Sequence, residues 1–157
     1  MKRILGMTLG IMLVLLLSVS VALADEEKQN GAYTYQIKGN GTAVITGYDW
    51  ENHEGEDIYI PRMVDGYTVT EIGEFAFSHY SFDENGNPEL GNFFSDAMAG
   101  SLVIPDTITT IGKGAFFGIT LASKAINIPN SVGFIGEGAF SYIFGVEQFA
   151  VGAQNPV

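Results

Sequence analysis

Side chains able to carry chemistry are few in this chain, and they are scattered. Histidine occurs twice, as His53 and His79, and cysteine not at all. Nucleophilic catalysis needs a base held beside the nucleophile. Neither histidine stands in a recognisable nucleophile motif, and no Gly-x-Ser-x-Gly elbow occurs. Zinc takes several nitrogen or sulfur ligands, which two distant histidines do not supply. Paired carboxylates can hydrolyse glycosides, but a chain with 18 acidic residues offers such pairs in any case. No glycine loop is arranged to cradle a phosphate. The chain is therefore expected to have no catalytic residues and no cofactor.

One stretch has the composition of a metal loop. Asp83, Asn85, Asn87 and Glu89 place oxygen ligands at alternate positions, as calcium loops do. The match to an EF-hand is incomplete: Pro88 stands where the invariant glycine belongs and Phe94 where the bidentate glutamate belongs. The same residues also read as a solvated insertion, with Asn-Gly and Asn-Pro forming turns. The acidic stretch 49–57, with Glu51, Glu54 and Glu56, reads as a solvated loop.

The elements that position these residues follow from an internal repeat. Ile58-Tyr59-Ile60-Pro61 is followed by Val69-Thr70-Glu71-Ile72-Gly73-Glu74-Phe75-Ala76-Phe77. Leu102-Val103-Ile104-Pro105 is followed by Ile108-Thr109-Thr110-Ile111-Gly112-Lys113-Gly114-Ala115-Phe116. Ile126-Asn127-Ile128-Pro129 is followed by Val132-Gly133-Phe134-Ile135-Gly136-Glu137-Gly138-Ala139-Phe140. The second and third units are 24 residues apart at every matched position, and the first differs by insertions after Pro61 and after Phe77.

Each slot has a physical task. Ile126 and Ile128 share one face of a strand, because strand side chains alternate. Pro129 ends that strand, having no N–H for a ladder. Val132 and Ile135 return the apolar face to the interior. Gly136 suits a corner requiring positive φ. Ala139 lets neighbouring coils approach, and Phe140 fills the space between them. One coil cannot bury its own apolar side, so the stack is the folding unit. Stacking predicts one internal ladder of Phe77, Phe116 and Phe140, and another of Ile60, Ile104 and Ile128. The fold class expected is a mainly β solenoid with one parallel strand per coil of about 24 residues.

These Ile-Pro, Ile-Gly and Ala-Phe pairs resemble the BspA-like leucine-rich repeats, also called the Treponema pallidum type. The resemblance covers residues 58–157. Family members often carry a cysteine three residues after the Ala-Phe pair, where this chain has Tyr80, Ile119 and Ile143. The resemblance implies a leucine-rich-repeat solenoid and a bacterial surface protein that adheres to host, matrix or other cells.

Three domains are expected. Residues 1–24 read as a secretory signal peptide: Lys2 and Arg3, an apolar run over 11–17, then Ala22-Leu23-Ala24. Residues 4–24 could also just span a bilayer as an uncleaved anchor, but the Ala-x-Ala site and the acidic residues after it fit removal. Residues 25–57 read as an N-terminal β-hairpin cap. Tyr33, Tyr35 and Ile37 alternate on one arm, Ala43 and Ile45 on the other, with Gly39-Asn40-Gly41 as the turn. Tyr48 and Trp50 belong to it; Trp50 is expected in the cap's interior, with an exposed binding aromatic as the alternative. Residues 58–157 form about three coils and the start of a fourth, whose opening strand over 146–151 points Phe149 and Val151 inward. That open end implies either a piece of a longer array or a last strand that shields the stack. The insertion over 81–101 carries Phe93, Phe94 and Met98, either as a short helix on the body or as an exposed patch.

Charge bounds the partners. All 18 acidic residues lie beyond residue 24, against five basic ones, so the segment 25–157 carries −13 with neutral histidines. Nucleic-acid binding needs a basic footprint that is missing, and attachment to anionic lipid is disfavoured likewise. No membrane insertion is expected after signal cleavage. The chain is thus expected to be secreted or at the cell surface, binding an extracellular protein or glycoprotein. Self-association through the C-terminal edge is a second expectation. A spacer, or an accessory module of a larger surface protein or extracellular enzyme, is the alternative function.

Overall fold

Alternating side chains in Tyr33-Thr34-Tyr35-Gln36-Ile37 favour a strand with one buried face, and the computed structural model, which describes residues 26–78 and 98–153, begins on such strands. β1 (Lys28–Asn30), β2 (Tyr33–Ile37) and β3 (Thr42–Tyr48) form an antiparallel meander. β2 and β3 pair as expected, Tyr35 opposite Ile45 and Ile37 opposite Ala43. Their turn closes with Gly41 N–H donating to the Lys38 carbonyl at 2.9 Å, Gly41 at φ +79°. β1 was not legible as a strand, because Lys28, Gln29 and Asn30 have neither β propensity nor an apolar face. The acidic stretch after β3, expected as loop, contains a single helical turn, α1 (Trp50–His53). Asp49 caps it by accepting from the Asn52 N–H at 3.3 Å.

The coils follow. The first holds β4 (Ile58–Tyr59), β5 (Met63–Val64) and β6 (Tyr67–Ile72). The second holds β7 (Met98–Ala99), β8 (Leu102–Val103) and β9 (Thr110–Ile111). The third holds β10 (Thr120–Leu121), β11 (Ala125–Ile128) and β12 (Phe134–Ile135). β13 (Gln148–Val151) opens a fourth. Insertion after Pro61 makes the β5–β6 hairpin, whose Asp65-Gly66 turn has both φ values positive, 45° and 86°.

Neighbouring coils align in parallel wherever they pair. One wall runs β3–β6–β9–β12, with Ile45, Ile72, Ile111 and Ile135 in register. A second wall joins β4 to β8 and β11 to β13, pairing Ile58 with Leu102 and Ile126 with Phe149. A third joins β7 to β10, which Phe144 extends by a bridge to Thr120. The solenoid is thus built from parallel strands, and each coil contributes several short ones where the repeat pattern predicts one. Thr110-Ile111 and Phe134-Ile135, each ending on the isoleucine of an Ile-Gly pair, are too short to read as strands by periodicity, and neighbouring coils impose the pairing.

Both predicted ladders are present. Phe77 stacks on Phe116 with ring centroids 5.0 Å apart, and Phe116 on Phe140 at 5.2 Å. Ile60, Ile104 and Ile128 are all buried. Ile119, in the family's cysteine slot, is fully buried, and Ile143 half-buried; Tyr80 lies outside the described residues. Among the described residues no polar or charged side chain counts among the buried ones, so the interior is stabilised by apolar burial and stacking.

The role expected of Gly136 needs correction. Gly73, Gly112 and Gly136 do not take positive φ. Their N–H groups donate to the Ile45 carbonyl of β3 and to the Ile72 and Ile111 carbonyls of the preceding coil, at 2.7, 2.7 and 2.8 Å. Backbone meets backbone there: a Cβ on Gly112 would lie 2.7 Å from the carbonyl carbon of Gly73. Close approach selects glycine at this slot. Positive φ falls two residues later, at Phe75, Gly114 and Gly138, with φ of 53°, 58° and 65°.

Candidate binding face

The second wall carries an outward row of one side chain per coil. In Ile58-Tyr59-Ile60 the flanking isoleucines are buried, so alternation turns Tyr59 to solvent, 59% exposed. Val103 is its register partner on β8. β11 lies against β8, and the 24-residue repeat brings Asn127 to the same slot; Ala150 pairs with Asn127 on β13. The row Tyr59, Val103, Asn127 and Ala150 falls from large aromatic to small.

Tyr59 is exposed yet held. Its hydroxyl donates to Asp57 Oδ2 at 3.0 Å, and Ser101 Oγ donates to Asp57 Oδ1 at 2.8 Å. Ser101 and then Tyr59, as donors, hold the Asp57 carboxyl below its ordinary range, while that carboxylate raises the Tyr59 hydroxyl. Gly100 leaves room for Asp57: a Cβ there would collide with Oδ1. From below, Tyr33 donates its hydroxyl to the Tyr59 carbonyl at 2.8 Å, and burial pushes the Tyr33 phenol up to about 12. Tyr59 is therefore an exposed aromatic whose hydroxyl is already hydrogen-bonded within the chain, and such pre-ordering lowers the cost of binding.

Beneath the row lies the cap's aromatic cluster. Tyr48 packs edge-on against Trp50 at 4.9 Å and beside Phe77 at 5.4 Å. The Trp50 indole N–H donates to the Phe77 carbonyl at 3.2 Å. Trp50 is thus buried in the cap, as expected, and does not serve as an exposed aromatic. His53 faces Glu56, Nδ1 to Oε2, at 3.0 Å. Around the row, Arg62 pairs with Asp106, and Lys124 with Glu147 at 2.7 Å.

The calcium candidates Asp83, Asn85, Asn87 and Glu89 lie outside the described residues, as do His79, Phe93 and Phe94. Met98, expected on a helix or an exposed patch, is on strand β7 and half exposed. Among the described residues no three His, Asp or Glu side chains gather as a metal site requires, and no helix is long and apolar enough to cross a membrane. Sequence reasoning did not single out Tyr59, Asp57 or Ser101. The signal available was the middle position of Ile-Tyr-Ile, which a buried-face pattern must turn outward.

Residues 90–155 match the family described as "BspA type Leucine rich repeat region (6 copies)". No curated protein matches the chain. Among solved structures, the chain is similar to a leucine-rich repeat protein from Bacteroides capillosus: 23% identity, 82% of this chain and 100% of that one, TM-score 0.48. It is similar to the T. pallidum leucine rich repeat protein at 18% identity, covering 74% of this chain and 67% of that one, TM-score 0.39. The pneumococcal vaccine antigen PcpA gives 18% identity over 84% of this chain and 39% of that one, TM-score 0.47. The Ile-Pro, Ile-Gly and Ala-Phe slots of the second and third coils fall inside the matched region, and the repeats over 90–155 are similar to the BspA type of leucine-rich repeat.

Proposed function

We infer that the chain is an exported, cell-surface or secreted module that holds an extracellular protein or glycoprotein, an adhesive role, on its second wall. The observation that carries this is Tyr59. A side chain 59% exposed and fixed through Asp57 and Ser101 has no packing task that would retain it there. Tyrosine supplies large contact area at low entropic cost, and such residues dominate interface energetics. Val103 and Asn127 extend the contact along the stack, as solenoids do when they fix a partner by many small contacts. The acidic surface favours a partner with basic groups, through faster encounter as well as contact.

The test is a pull-down of the exported chain against extracellular host and matrix proteins, beside a Tyr59→Ala variant of equal thermal stability. Retention of a partner by the native chain, and its loss or a roughly tenfold weakening in the variant, is the expected result, since anchors cost more than 1 kcal/mol when truncated. Equal retention by both would remove this face from consideration.

A further inference from the structure

Charge is distributed very unevenly along the solenoid. Residues 26–78 hold ten acidic side chains, whereas 125–153 hold two charges of either sign, Glu137 and Glu147. Glu147 is neutralised by Lys124 at 2.7 Å. The same charge-poor end gathers exposed large apolar side chains: Phe134, Tyr142, Phe144, Phe149 and Val151. Two copies of the segment 25–157, each carrying −13, repel wherever their first coils approach, and least where these ends meet.

At that end β13 is bonded, among the described residues, on one side only, to β11. Phe149 and Val151 occupy the inward slots in register with Ile126 and Ile128, yet are 42% and 50% exposed. Phe149 already packs edge-on against Phe140 at 5.2 Å, so the strand continues the core, and no described residue bonds its far edge. Gln148, Phe149, Ala150 and Val151 include no lysine, no proline and no charge, the devices by which edge strands refuse a partner.

We propose that this edge is a homotypic junction: β13 pairs antiparallel with β13 of a second copy about a twofold axis at Ala150. Register selects that axis. Side chains directly opposite share one face of a sheet, and a shift of one residue would turn one copy's core face to solvent. Only pairings that set inward residues against inward residues survive. Centring on Phe149 would place Glu147 against Val151 on the core side. Centring on Ala150 sets Phe149 of each copy against Val151 of the other and leaves Ala150 facing its own counterpart on the outer face. Such an isologous contact closes at two copies and does not propagate.

Opposed Cα atoms in an antiparallel pair lie about 4.5–5.5 Å apart, within the range a disulfide spans. The chain has no cysteine, so the full chain carrying Ala150→Cys is a clean probe. It should oxidise to a covalent dimer, whereas Glu54→Cys, in the cap's acidic stretch at the other end of the stack, should form no covalent dimer. The native chain should sediment as a dimer at tens of micromolar, and Ala150→Lys should lose the dimer peak while keeping the native melting curve. A native chain that stays monomeric, or a dimer that neither cross-links through Ala150→Cys nor dissociates in Ala150→Lys, would overturn the proposal. Because the pull-down reads Tyr59 and this experiment reads Ala150, either result stands without the other.

Discussion

At the scale of single residues, the glycines divide by physical cause rather than by position in the motif. Gly112 is held between two backbones, with the Gly73 carbonyl carbon 2.7 Å and the Glu74 nitrogen 2.8 Å from where a Cβ would stand. Backbone cannot swing aside as a side chain can, so Gly112→Ala should destabilise by about 1–3 kcal/mol, the usual cost of overpacking. Gly133 makes the contrast: it is exposed, its φ is not positive, and a Cβ would come no nearer than 4.0 Å to the Thr109 carbonyl oxygen. Gly133→Ala should stabilise by about 0.4–1 kcal/mol through the unfolded chain's lost freedom. Urea melts of both variants check the pair; equal effects would mean coil spacing is looser than the 2.7 Å hydrogen bonds imply. Gly114 combines both causes. It has φ +58°, and the Phe75 ring occupies the place of its Cβ, so the first coil's phenylalanine and the second coil's glycine form one packing unit.

At the scale of elements, the cap is joined to the first coil by a polar pin as well as by a sheet. The hairpin turn between β5 and β6 lifts Asp65, whose Oδ2 accepts from the Tyr35 hydroxyl at 2.5 Å and whose Oδ1 accepts from the Asn30 amide at 2.7 Å. These bonds, Tyr35 first, hold the Asp65 carboxyl below its ordinary value. The bond to Asp65, and then burial, push the Tyr35 phenol up to about 12. A depressed carboxyl contributes stability that is present above its unfolded pKa, near ~3.9, and is lost as pH falls through the folded value. A raised phenol contributes stability present below its unfolded pKa, near ~10, and lost as pH rises through about 12. Asp65→Asn should therefore be less stable than the native chain at neutral pH, with the gap closing below about pH 4. Thermal melts against pH measure it; a gap that persists undiminished at about pH 2 would show that the pin acts by shape and not by charge. Much of this architecture was legible. Paired Ile-Pro, Ile-Gly and Ala-Phe slots fixed which side chains lie inside, because their spacing admits one stacking. The pin was not legible, since Asn30, Tyr35 and Asp65 are far apart in sequence and meet only through the turn that an insertion creates. Tyr59 was half legible: its outward direction follows from alternation, but the Ser101–Asp57 brace crosses two coils.

At the scale of the whole molecule, binding an extracellular partner requires export. The Ala22-Leu23-Ala24 site behind an apolar run predicts that the chain purified from its native host's envelope or medium begins at Asp25. Intact-mass measurement decides it, and a retained Met1 would instead mean an uncleaved anchor. The parallel joining of β3 to β6 bears on how such a chain acquires its shape. The meander needs only its own residues, so it can exist before any coil does, and it offers an open edge to the first arriving strand. Every later addition copies the step before it: Ile72 waits for Ile111, a span of 39 residues, and Ile111 for Ile135, a span of 24. Loop closure costs grow slowly with length but must be met before the contact rewards them, so the longest wait falls between the first and second coils. Synthesis delivers the strands in that order. Assembly is then directional, like a wall raised from its foundation course, and the N-terminal meander is the template as much as the lid.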